Sequence, residues 1–408
     1  MNIHRVSGRD SIILVKRSIP HAGRDILPLL IMSIALSFLI SLLTSCNKAP
    51  PKPMELKIGV FVYCTEDDLS LCDDPTQYVV EMVTREVESA GGVSLGESKV
   101  ALKIFTEKIL KNPEKAVAAA SRLINQVGVQ VLIGPQRSRD AIPVGELARK
   151  AGVLMISPMS TNPETTAGKR CVFRAGFLDD FQSEVLARFA IEDLHVTRAA
   201  VLFNVANPYG RVMSEEFETR FERLGGEVVA SSSYVTGNTD FSQQLALIKS
   251  RSPQLLLLPN HSDDVLLQAA QIGSSGISTI LLGTDSWREL ILASQPELEG
   301  SYKVAHWSWS IRSEANRAFV SSYLDLFGEP PKSSMAALTY DAFNVLFAAA
   351  ARAGSVESDD LCEALYVLPP FNGVSGVIDY VDTGDPVKSA VILKFSEGEA
   401  SFVKMIHP

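Results

Sequence analysis

The chain has 408 residues, of which 46% are hydrophobic and 21% are charged. These values are ordinary for a globular protein, so they exclude disorder over most of the length, and the length itself favours two or three domains. The net charge is −9. Because proteins that bind nucleic acid are more often basic, we do not expect DNA or RNA as a ligand.

The first 45 residues differ in composition from the rest of the chain. They contain five basic and two acidic side chains, and residues 26–43 form an uncharged apolar stretch. A basic segment, an apolar segment and small residues at its end predict a secretory signal peptide over residues 1–45. A single uncleaved transmembrane helix is the alternative, because an apolar stretch of this length could just span a bilayer.

Leu43, Thr44, Ser45 and Cys46 follow the apolar stretch, and these four residues resemble the lipobox of bacterial lipoproteins. The resemblance implies that cleavage leaves Cys46 as the acylated N-terminus. Because two or more acyl chains give stable anchoring, we expect a protein of the periplasm or cell surface that contacts the inner or outer membrane only through this lipid. Residues 46–55 are then predicted to be an exposed tether.

Four cysteines remain after Cys46, and an exported protein meets an oxidising environment in which cysteines pair. Cys64 and Cys72 lie close together in a segment rich in Asp and Ser, so we predict a disulfide between them. Cys171 and Cys362 either pair or remain as two buried thiols.

From Leu56 onward, short apolar strands alternate with amphipathic helices. In the first half, strands are predicted at 56–63, 100–105, 129–134 and 152–157, and helices at 75–90, 112–127 and 138–151. In the second half, strands are predicted at 199–204, 227–235, 254–259, 278–283 and 302–309, and helices at 208–224, 240–251 and 263–272, with a short helix after Asp285. Helices at 314–327 and 334–353 follow, and residues 374–405 are predicted to form short strands.

This alternation is typical of parallel sheets covered by helices on both faces. Two similar halves, followed by further helices and strands, predict two lobes joined by more than one crossing of the chain. Ligands of such folds bind outside the carboxyl ends of the strands.

The sequence contains no strong enzyme signature. It has no GxGxxG after a strand, no Walker A motif, no GxSxG and no HExxH, and its six histidines are scattered without the spacing of a zinc site. We therefore expect no catalytic residue, no cofactor and no metal, and an enzyme is the least favoured class.

Residues 129–163, VQVLIGPQRSRDAIPVGELARKAGVLMISPMSTNP, resemble the branched-chain amino-acid-binding proteins, the type 1 periplasmic solute-binding proteins of ABC importers. Residues 171–190 (CVFRAGFLDDFQSEVLARFA), 207–210 (NPYG) and 281–287 (LLGTDSW) resemble further segments of that family. The resemblance covers roughly residues 56–408. It implies an α/β fold of two lobes, each a parallel-sheet sandwich, with several hinge crossings: lobe 1 from residues 56–177 and 310–380, and lobe 2 from residues 178–309 and 381–408.

The resemblance also implies where a ligand binds. Ser138 matches a contact to a ligand carboxylate, which its hydroxyl and the free N–H groups at the start of its helix would suit. Ser160, Thr161 and the backbone around Met159 match further carboxylate and ammonium contacts, and Asp285 matches the acid that faces the ammonium. Helix capping and ordinary turn chemistry are the alternative roles for these residues.

Weaker matches complete the implied site. Tyr209 stands where the family's tyrosine can contact the ligand, and His261 stands where relatives often have an aromatic residue, so it could add a polar contact. Asp179 and Gln182 are expected to hold the crossing segment rather than to touch the ligand. Trp287, Trp307 and Trp309 could line the cleft, but tryptophans more often pack in a core.

The resemblance implies a solute-binding lipoprotein that closes on a small amino-acid-like molecule and delivers it to the permease subunits of an ABC importer. Closure would be a hinge motion. The alternative is a receptor module of the same fold that senses the ligand for a signalling partner without transport, because fold and site would be shared.

Overall fold

The computed structural model describes residues 54–64, 72, 74–331 and 333–408. The predicted signal peptide, Cys46 and the tether as far as residue 53 lie outside these residues. The described chain begins at Met54, and the first strand begins at Glu55, the last residue of the predicted tether.

Six strands form the first sheet, in the spatial order β2-β3-β1-β4-β5-β6. They are β1 (Glu55–Tyr63), β2 (Val93–Leu95), β3 (Ser98–Ile109), β4 (Val131–Ile133), β5 (Leu154–Ser157) and β6 (Val172–Arg174). All neighbours are parallel except β2 and β3. Ile58 and Phe61 of β1 are both fully buried, on different hydrophobic clusters, as expected for a sheet covered on both faces.

Three helices connect these strands: α1 (Pro75–Ser89), α2 (Pro113–Arg122) and α3 (Ser138–Ala151). An Asp or Asn before a proline starts α1 and α2, and the side chains of Asp74 and Asn112 accept hydrogen bonds from the first backbone N–H groups. Gly152 ends α3 with φ 67°, a conformation that favours glycine.

Seven strands form the second sheet, in the order β16-β15-β11-β10-β9-β7-β8. They are β7 (Arg198–Asn204), β8 (Glu227–Tyr234), β9 (Leu255–Leu258), β10 (Ile280–Gly283), β11 (Tyr302–Ala305), β15 (Ala390–Ser396) and β16 (Glu399–Ile406). The helices of this half are α4 (Asp179–Arg188), α5 (Pro208–Arg223), α6 (Ser242–Arg251), α7 (Ser262–Ser275) and α8 (Glu289–Leu292). Strands β7 to β11 are parallel, whereas β15 and β16 join antiparallel.

The chain then returns to the first sheet. Three helices, α9 (Glu314–Phe327), α10 (Ser334–Ala353) and α11 (Ser358–Tyr366), are followed by a small antiparallel sheet of β12 (Phe371–Gly373), β13 (Gly376–Tyr380) and β14 (Pro386–Val387). Residues of all these helices and of β13 share a hydrophobic cluster with β1, β4 and β5. We call the first sheet with these elements the first lobe, and the second sheet with α4 to α8 the second lobe.

Within the described residues, α10 alone is long and apolar enough to cross a membrane. Its apolar window is 67% buried, and Leu338, Phe343 and Leu346 belong to the core of the first lobe. We therefore assign α10 as a core helix.

The chain passes between the lobes three times, after Arg174, after Ala305 and after Val387. The predicted domain boundaries at 177, 309 and 380 stay predictions. The structure joins Cys64 to Cys72 and Cys171 to Cys362. The second of these disulfides links the start of β6 to α11, so it ties two distant parts of the first lobe together.

Most predicted elements are present within a few residues of their predicted ends. The strand predicted at 302–309 ends at Ala305, because the following residues form a crossing. Helices α4 and α11 and strands β2, β6 and β12 are additions that the sequence patterns did not predict.

Candidate functional site

The candidate site residues follow the carboxyl ends of strands from both sheets. Ser138 begins α3 after β4, and residues 159–161 follow β5. Tyr209 is the second residue of α5, which follows β7. His261 follows β9, and Asp285 follows β10. Parallel strands bring these loops to one edge of each sheet, where ligands of such folds bind.

The hydroxyl of Ser138 is part of a cluster of small polar groups. Ser160 Oγ lies 3.0 Å from Ser138 Oγ and 2.6 Å from Thr165 Oγ1, and the backbone N–H of Asn162 donates to Ser138 Oγ at 3.4 Å. Ser138 is the first helical residue rather than the cap, and in the described chain no side chain caps α3. The first N–H groups of the helix are therefore suited to an anion.

Arg174 holds the loop that carries Ser160 and Thr161. This guanidinium is fully buried, and it donates to the carbonyl oxygens of Ser160 at 2.6 Å and Asn162 at 2.9 Å. It also forms a salt bridge with Asp385 at 2.5 Å. Burial lowers the pKa of Arg174, and the carboxylate of Asp385 opposes this, so the pair stabilises the charged form that fixes the loop.

The carboxylate of Asp285 is oriented by groups from two other elements. The hydroxyl of Tyr209 donates to Oδ1 at 2.5 Å, and Nε2 of His306 lies 3.1 Å from Oδ2. The backbone N–H of Asp285 donates to Oε1 of Gln182 at 2.8 Å. These contacts are with side chains from α4, α5 and the crossing after β11. Asp285 does not cap the short helix that follows it, because the cap residue of that helix is Arg288.

The surroundings keep Asp285 ionised. Burial would raise the pKa of this carboxyl, but the hydrogen bonds from His306 and from the Tyr209 hydroxyl, together with the charge of Lys303, hold its pKa below the usual value. The side chain is only 8% exposed. A buried carboxylate with its negative charge retained can bind a cationic group at little further desolvation cost.

Asp179 contributes a second acid beside Asp285. Its side chain is fully buried, and neither carboxylate oxygen has a hydrogen-bond partner of regular geometry among the described residues, although the Thr161 side chain lies near enough to lower its pKa. Burial raises the pKa of Asp179 to about 7, and the charge of Asp285 adds to the rise, whereas Thr161 and Arg174 oppose it. Its backbone N–H donates to the carbonyl oxygen of Thr161 at 3.0 Å, which joins the acidic groups to the serine and threonine loop.

His261 lies next to Tyr209, with the two rings stacked at a centroid distance of 6.0 Å. Burial is the main cause that lowers the pKa of His261 to about 4, and the charge of Arg137 lowers it further. The imidazole is therefore neutral at pH 7. Met159 is half-buried and packs against the core of the first lobe, so its side chain contributes to packing while its backbone lies in the candidate loop.

Three polar residues at the site were not among the predicted ligand contacts. Asp179 and Gln182 were expected to hold a crossing rather than to touch the ligand, and this stays a prediction. Gln182 contacts Asp285, and Asp179 interacts with Tyr209. His306 was not singled out at all. Its position directly after the end of a parallel strand is a signal that could have identified it.

The tryptophans separate into two environments. Trp287 and Trp307 are buried and donate to Leu258 O at 3.0 Å and Asn316 Oδ1 at 2.6 Å. Trp309 is 58% exposed, so its prediction as a core residue is wrong. It lies in the crossing after β11, beyond the end of the strand that was predicted to continue as far as this residue. The described residues contain no group of His, Cys, Asp and Glu that could hold a metal ion.

Known proteins resemble this chain over most of its length. A family model described as periplasmic binding protein matches residues 55–399. The Leu/Ile/Val-binding protein homolog 3 of Brucella melitensis is 26% identical over 354 residues, covering 85% of this chain and 92% of that protein. The Leu/Ile/Val-binding protein BraC3 of Rhizobium johnstonii is 26% identical over 357 residues, with the same coverage of 85% and 92%.

Solved structures agree with the fold described above. The leucine binding protein LivK of Thermotoga maritima superposes with a TM-score of 0.76 at 27% identity, covering 86% of this chain and 99% of that one. A solute-binding protein of R. palustris in complex with benzoate superposes with a TM-score of 0.72 at 21% identity, covering 87% of this chain and 97% of that one. At this identity the match shows the fold only. These matches confirm the type 1 periplasmic binding protein fold. The chain belongs to the periplasmic binding protein family.

Proposed function

We propose that this chain captures a small α-amino acid or a similar zwitterion between its two lobes and delivers it to the permease subunits of an ABC importer. We further propose that it is a lipoprotein of the periplasm or cell surface, anchored through Cys46. Its role is binding and delivery rather than catalysis, as in the family to which it belongs.

The observation that carries the proposal is the Asp285 carboxylate, which is buried, held ionised and oriented by Tyr209 and His306. A cationic ligand group is the natural partner of such a charge, since an unpaired buried charge costs several kcal/mol. The charge of Asp285 acts on Asp179, so Asp179 would share that cation. The ligand ammonium would bind between these two carboxylates and the Tyr209 hydroxyl.

The other end of the ligand would bind at the start of α3. The hydroxyls of Ser138, Ser160 and Thr161 and the uncapped N–H groups of the helix are donors that suit a carboxylate. The hydrogen bond between Asp179 N–H and Thr161 O joins this donor loop to the acidic groups. Donors on one side and acids on the other match the two charges of an α-amino acid.

Delivery to an importer is supported by the relatives. Two are named as Leu/Ile/Val-binding proteins, and the LivJ protein of Streptococcus pneumoniae, solved with isoleucine, is described as a branched-chain amino acid transporter substrate binding protein. A test is to mix the protein with proteoliposomes that contain its cognate permease and ATPase. Uptake of radiolabelled amino acid that depends on the added protein supports transport, and its absence with intact ATPase activity contradicts it.

The ligand itself is tested by mass spectrometry of small molecules released when the full chain, purified in detergent, is denatured. Calorimetric titration of the twenty proteinogenic L-amino acids follows, with benzoate as a control that has a carboxylate but no ammonium. We expect at least one amino acid to bind and benzoate to fail. Binding of benzoate without any amino acid would contradict the proposal.

A further inference from the structure

The crossing after β11 places a histidine against the acid of the candidate site. His306 is 1% exposed, and its ring stacks on Phe177 of the first crossing with a centroid distance of 3.7 Å and an interplanar angle of 23°. A Cβ on Gly176 would lie 2.9 Å from His306 Cε1, so the ring needs a glycine at that position. His306 belongs to the second crossing, and its ring packs against Phe177 of the first crossing.

We infer that His306 is a positioning residue for ligand binding: as a neutral imidazole it donates Nε2–H to Asp285, fixes that carboxylate for a ligand cation, and weakens binding when it becomes protonated. This inference rests on the proposed function, because it concerns the site at which the ammonium of an amino acid would bind.

The geometry defines the tautomer. Nε2 lies 3.1 Å from Asp285 Oδ2, and Nδ1 has no hydrogen-bond partner among the described residues. A neutral ring carries one proton. The proton belongs on Nε2, because Asp285 is an acceptor and Nδ1 faces no described group that could receive it.

The charges around the ring favour its neutral form. Burial is the main cause that lowers the pKa of His306, and the ammonium groups of Lys388 and Lys303 lower it further, while Asp285 opposes them. Lys303 donates to Glu289 and to the carbonyl oxygen of Trp287, and Lys388 donates to Ser375. Tyr209 donates to the other carboxylate oxygen of Asp285, and the charges of Asp179 and Asp285 act on each other. At pH 7 the negative charge of Asp285 is therefore left for the ligand.

Protonation of His306 would reverse this arrangement. An imidazolium would neutralise Asp285 from one side and repel an ammonium on the other, so affinity should rise as pH rises through the pKa of the ring. Asp179 titrates in the same direction, because its carboxyl gains negative charge as pH rises through about 7. The contribution of His306 must therefore be measured in an Asp179→Asn background.

Two substitutions separate the donor from the ring. His306→Gln keeps an N–H donor but cannot titrate, whereas His306→Phe keeps the stacking on Phe177 but has no donor. His407→Gln is the control, since His407 is exposed and contacts Ser389 instead of a residue of the candidate site. Calorimetry uses the full chain in detergent and the L-amino acid that binds best in the panel described above.

We expect His306→Phe to weaken binding about tenfold at pH 8, the loss of one hydrogen bond to a charged group, and His306→Gln to stay within about threefold of its parent. As the pH is lowered from 8 through the pKa of the ring, Asp179→Asn alone should lose affinity, and Asp179→Asn with His306→Gln should lose less than half as much. Unchanged binding by His306→Phe, or an unchanged pH profile with glutamine, would overturn the inference.

Ring-nitrogen NMR of the ligand-free protein decides the matter even if no amino acid binds. We expect the Nε2–H tautomer at pH 7, and a lower pKa of His306 in Asp285→Asn, which removes the charge that raises it. A ring protonated on Nδ1, or a pKa unaffected by Asp285→Asn, would also overturn the inference. Failure of every amino acid to bind the parent protein would instead reject the proposed function.

Discussion

Arg174 and Asp385 lie 211 residues apart in the chain, yet their side chains form a salt bridge of 2.5 Å. The arginine also donates to two carbonyl oxygens of the loop after β5. The pair therefore joins the turn that precedes the last crossing to the loop that carries Ser160 and Thr161. We therefore expect the salt bridge both to stabilise the fold and to hold the loop that carries the binding residues.

We predict that Asp385→Asn lowers the free energy of unfolding by about 2–3 kcal/mol. This is below the full cost of breaking a buried pair, because Asp385 is 22% exposed and the carbonyl oxygens still accept from Arg174. Urea unfolding measures the effect. Glu146→Gln, which breaks an exposed pair with Arg149, should leave the midpoint unchanged. Equal midpoints for both variants would contradict the prediction.

Asp285→Asn should weaken amino-acid binding by about two to four powers of ten. The substitution keeps the size of the side chain but removes the charge, and losing one partner of a buried pair costs about 3–5 kcal/mol. Ser138→Ala should cost about 1–2 kcal/mol, because the N–H groups of α3 still bind the carboxylate. Calorimetric titration of both variants gives the order. An Asp285→Asn protein that binds normally but melts earlier would show that Asp285 has only a structural role.

Asp179→Asn should stabilise the ligand-free protein, and more so at high pH. The folded-state pKa of about 7 lies above the unfolded value, so the folded state holds more protons and wild-type stability falls as pH rises from about 4 to 7. Asparagine does not titrate. The increase in the free energy of unfolding of Asp179→Asn over wild type should therefore be about 2–3 kcal/mol larger at pH 8 than at pH 5. Urea unfolding at both pH values is the measurement, and a gain independent of pH would refute it.

The same substitution should weaken ligand binding, because it removes one of two carboxylates from the cation site. Stability and affinity would then change in opposite directions, which is expected where a buried charge is kept for function. Affinity equal to wild type would exclude Asp179 from the site.

The two disulfides should differ in their contributions. In the chain-entropy model, the bond between Cys171 and Cys362 closes a loop of 191 residues and contributes about 5 kcal/mol. The bond between Cys64 and Cys72 spans 8 residues and contributes about 2–3 kcal/mol. Peptide mapping without reduction should find both linked peptides. Variants in which both cysteines of one disulfide are replaced by serine then show, by urea unfolding, which disulfide contributes more to the free energy of unfolding. A larger loss on removal of Cys64–Cys72 would show that chain entropy does not dominate.

Cys46→Ser should leave the precursor unlipidated. Detergent-phase partitioning measures this, with Cys64→Ser as a control that alters another cysteine but leaves Cys46 in place. The wild type and the control should enter the detergent phase, and Cys46→Ser should not enter it as a lipidated species. Equal partitioning of all three after signal cleavage would contradict the lipoprotein proposal.

The fold was predictable where local chemistry marks both ends of an element. Asp74 and Asn112 before prolines start helices, and the continuous apolar runs around Ile58 and Leu256 give buried parallel strands. Helix α11 was missed because it is only nine residues long. A helix this short shows few turns in the sequence, and its helical state depends on packing against the first lobe.

The site was predictable only in part. Ser138, Tyr209 and Asp285 lie in motifs that resemble a family, and each follows a strand. His306 belongs to no such motif, and its role depends on stacking against Phe177 and on contact with Asp285, which is 21 residues away. Sequence patterns report neighbours along one element, so contacts between two crossings were not available from them.

The return of the chain from the second lobe to the first also determines when each core can close. Helix α10 covers a face of the first sheet, but it begins only at Ser334, after strands β7 to β11 have been synthesised. The second sheet in turn waits for β15 and β16, which end at Ile406. Both halves must therefore keep apolar surface uncovered until β15 and β16 emerge. A nascent chain of this kind should depend on chaperones throughout its synthesis, and truncation near the C-terminus should leave two incomplete cores.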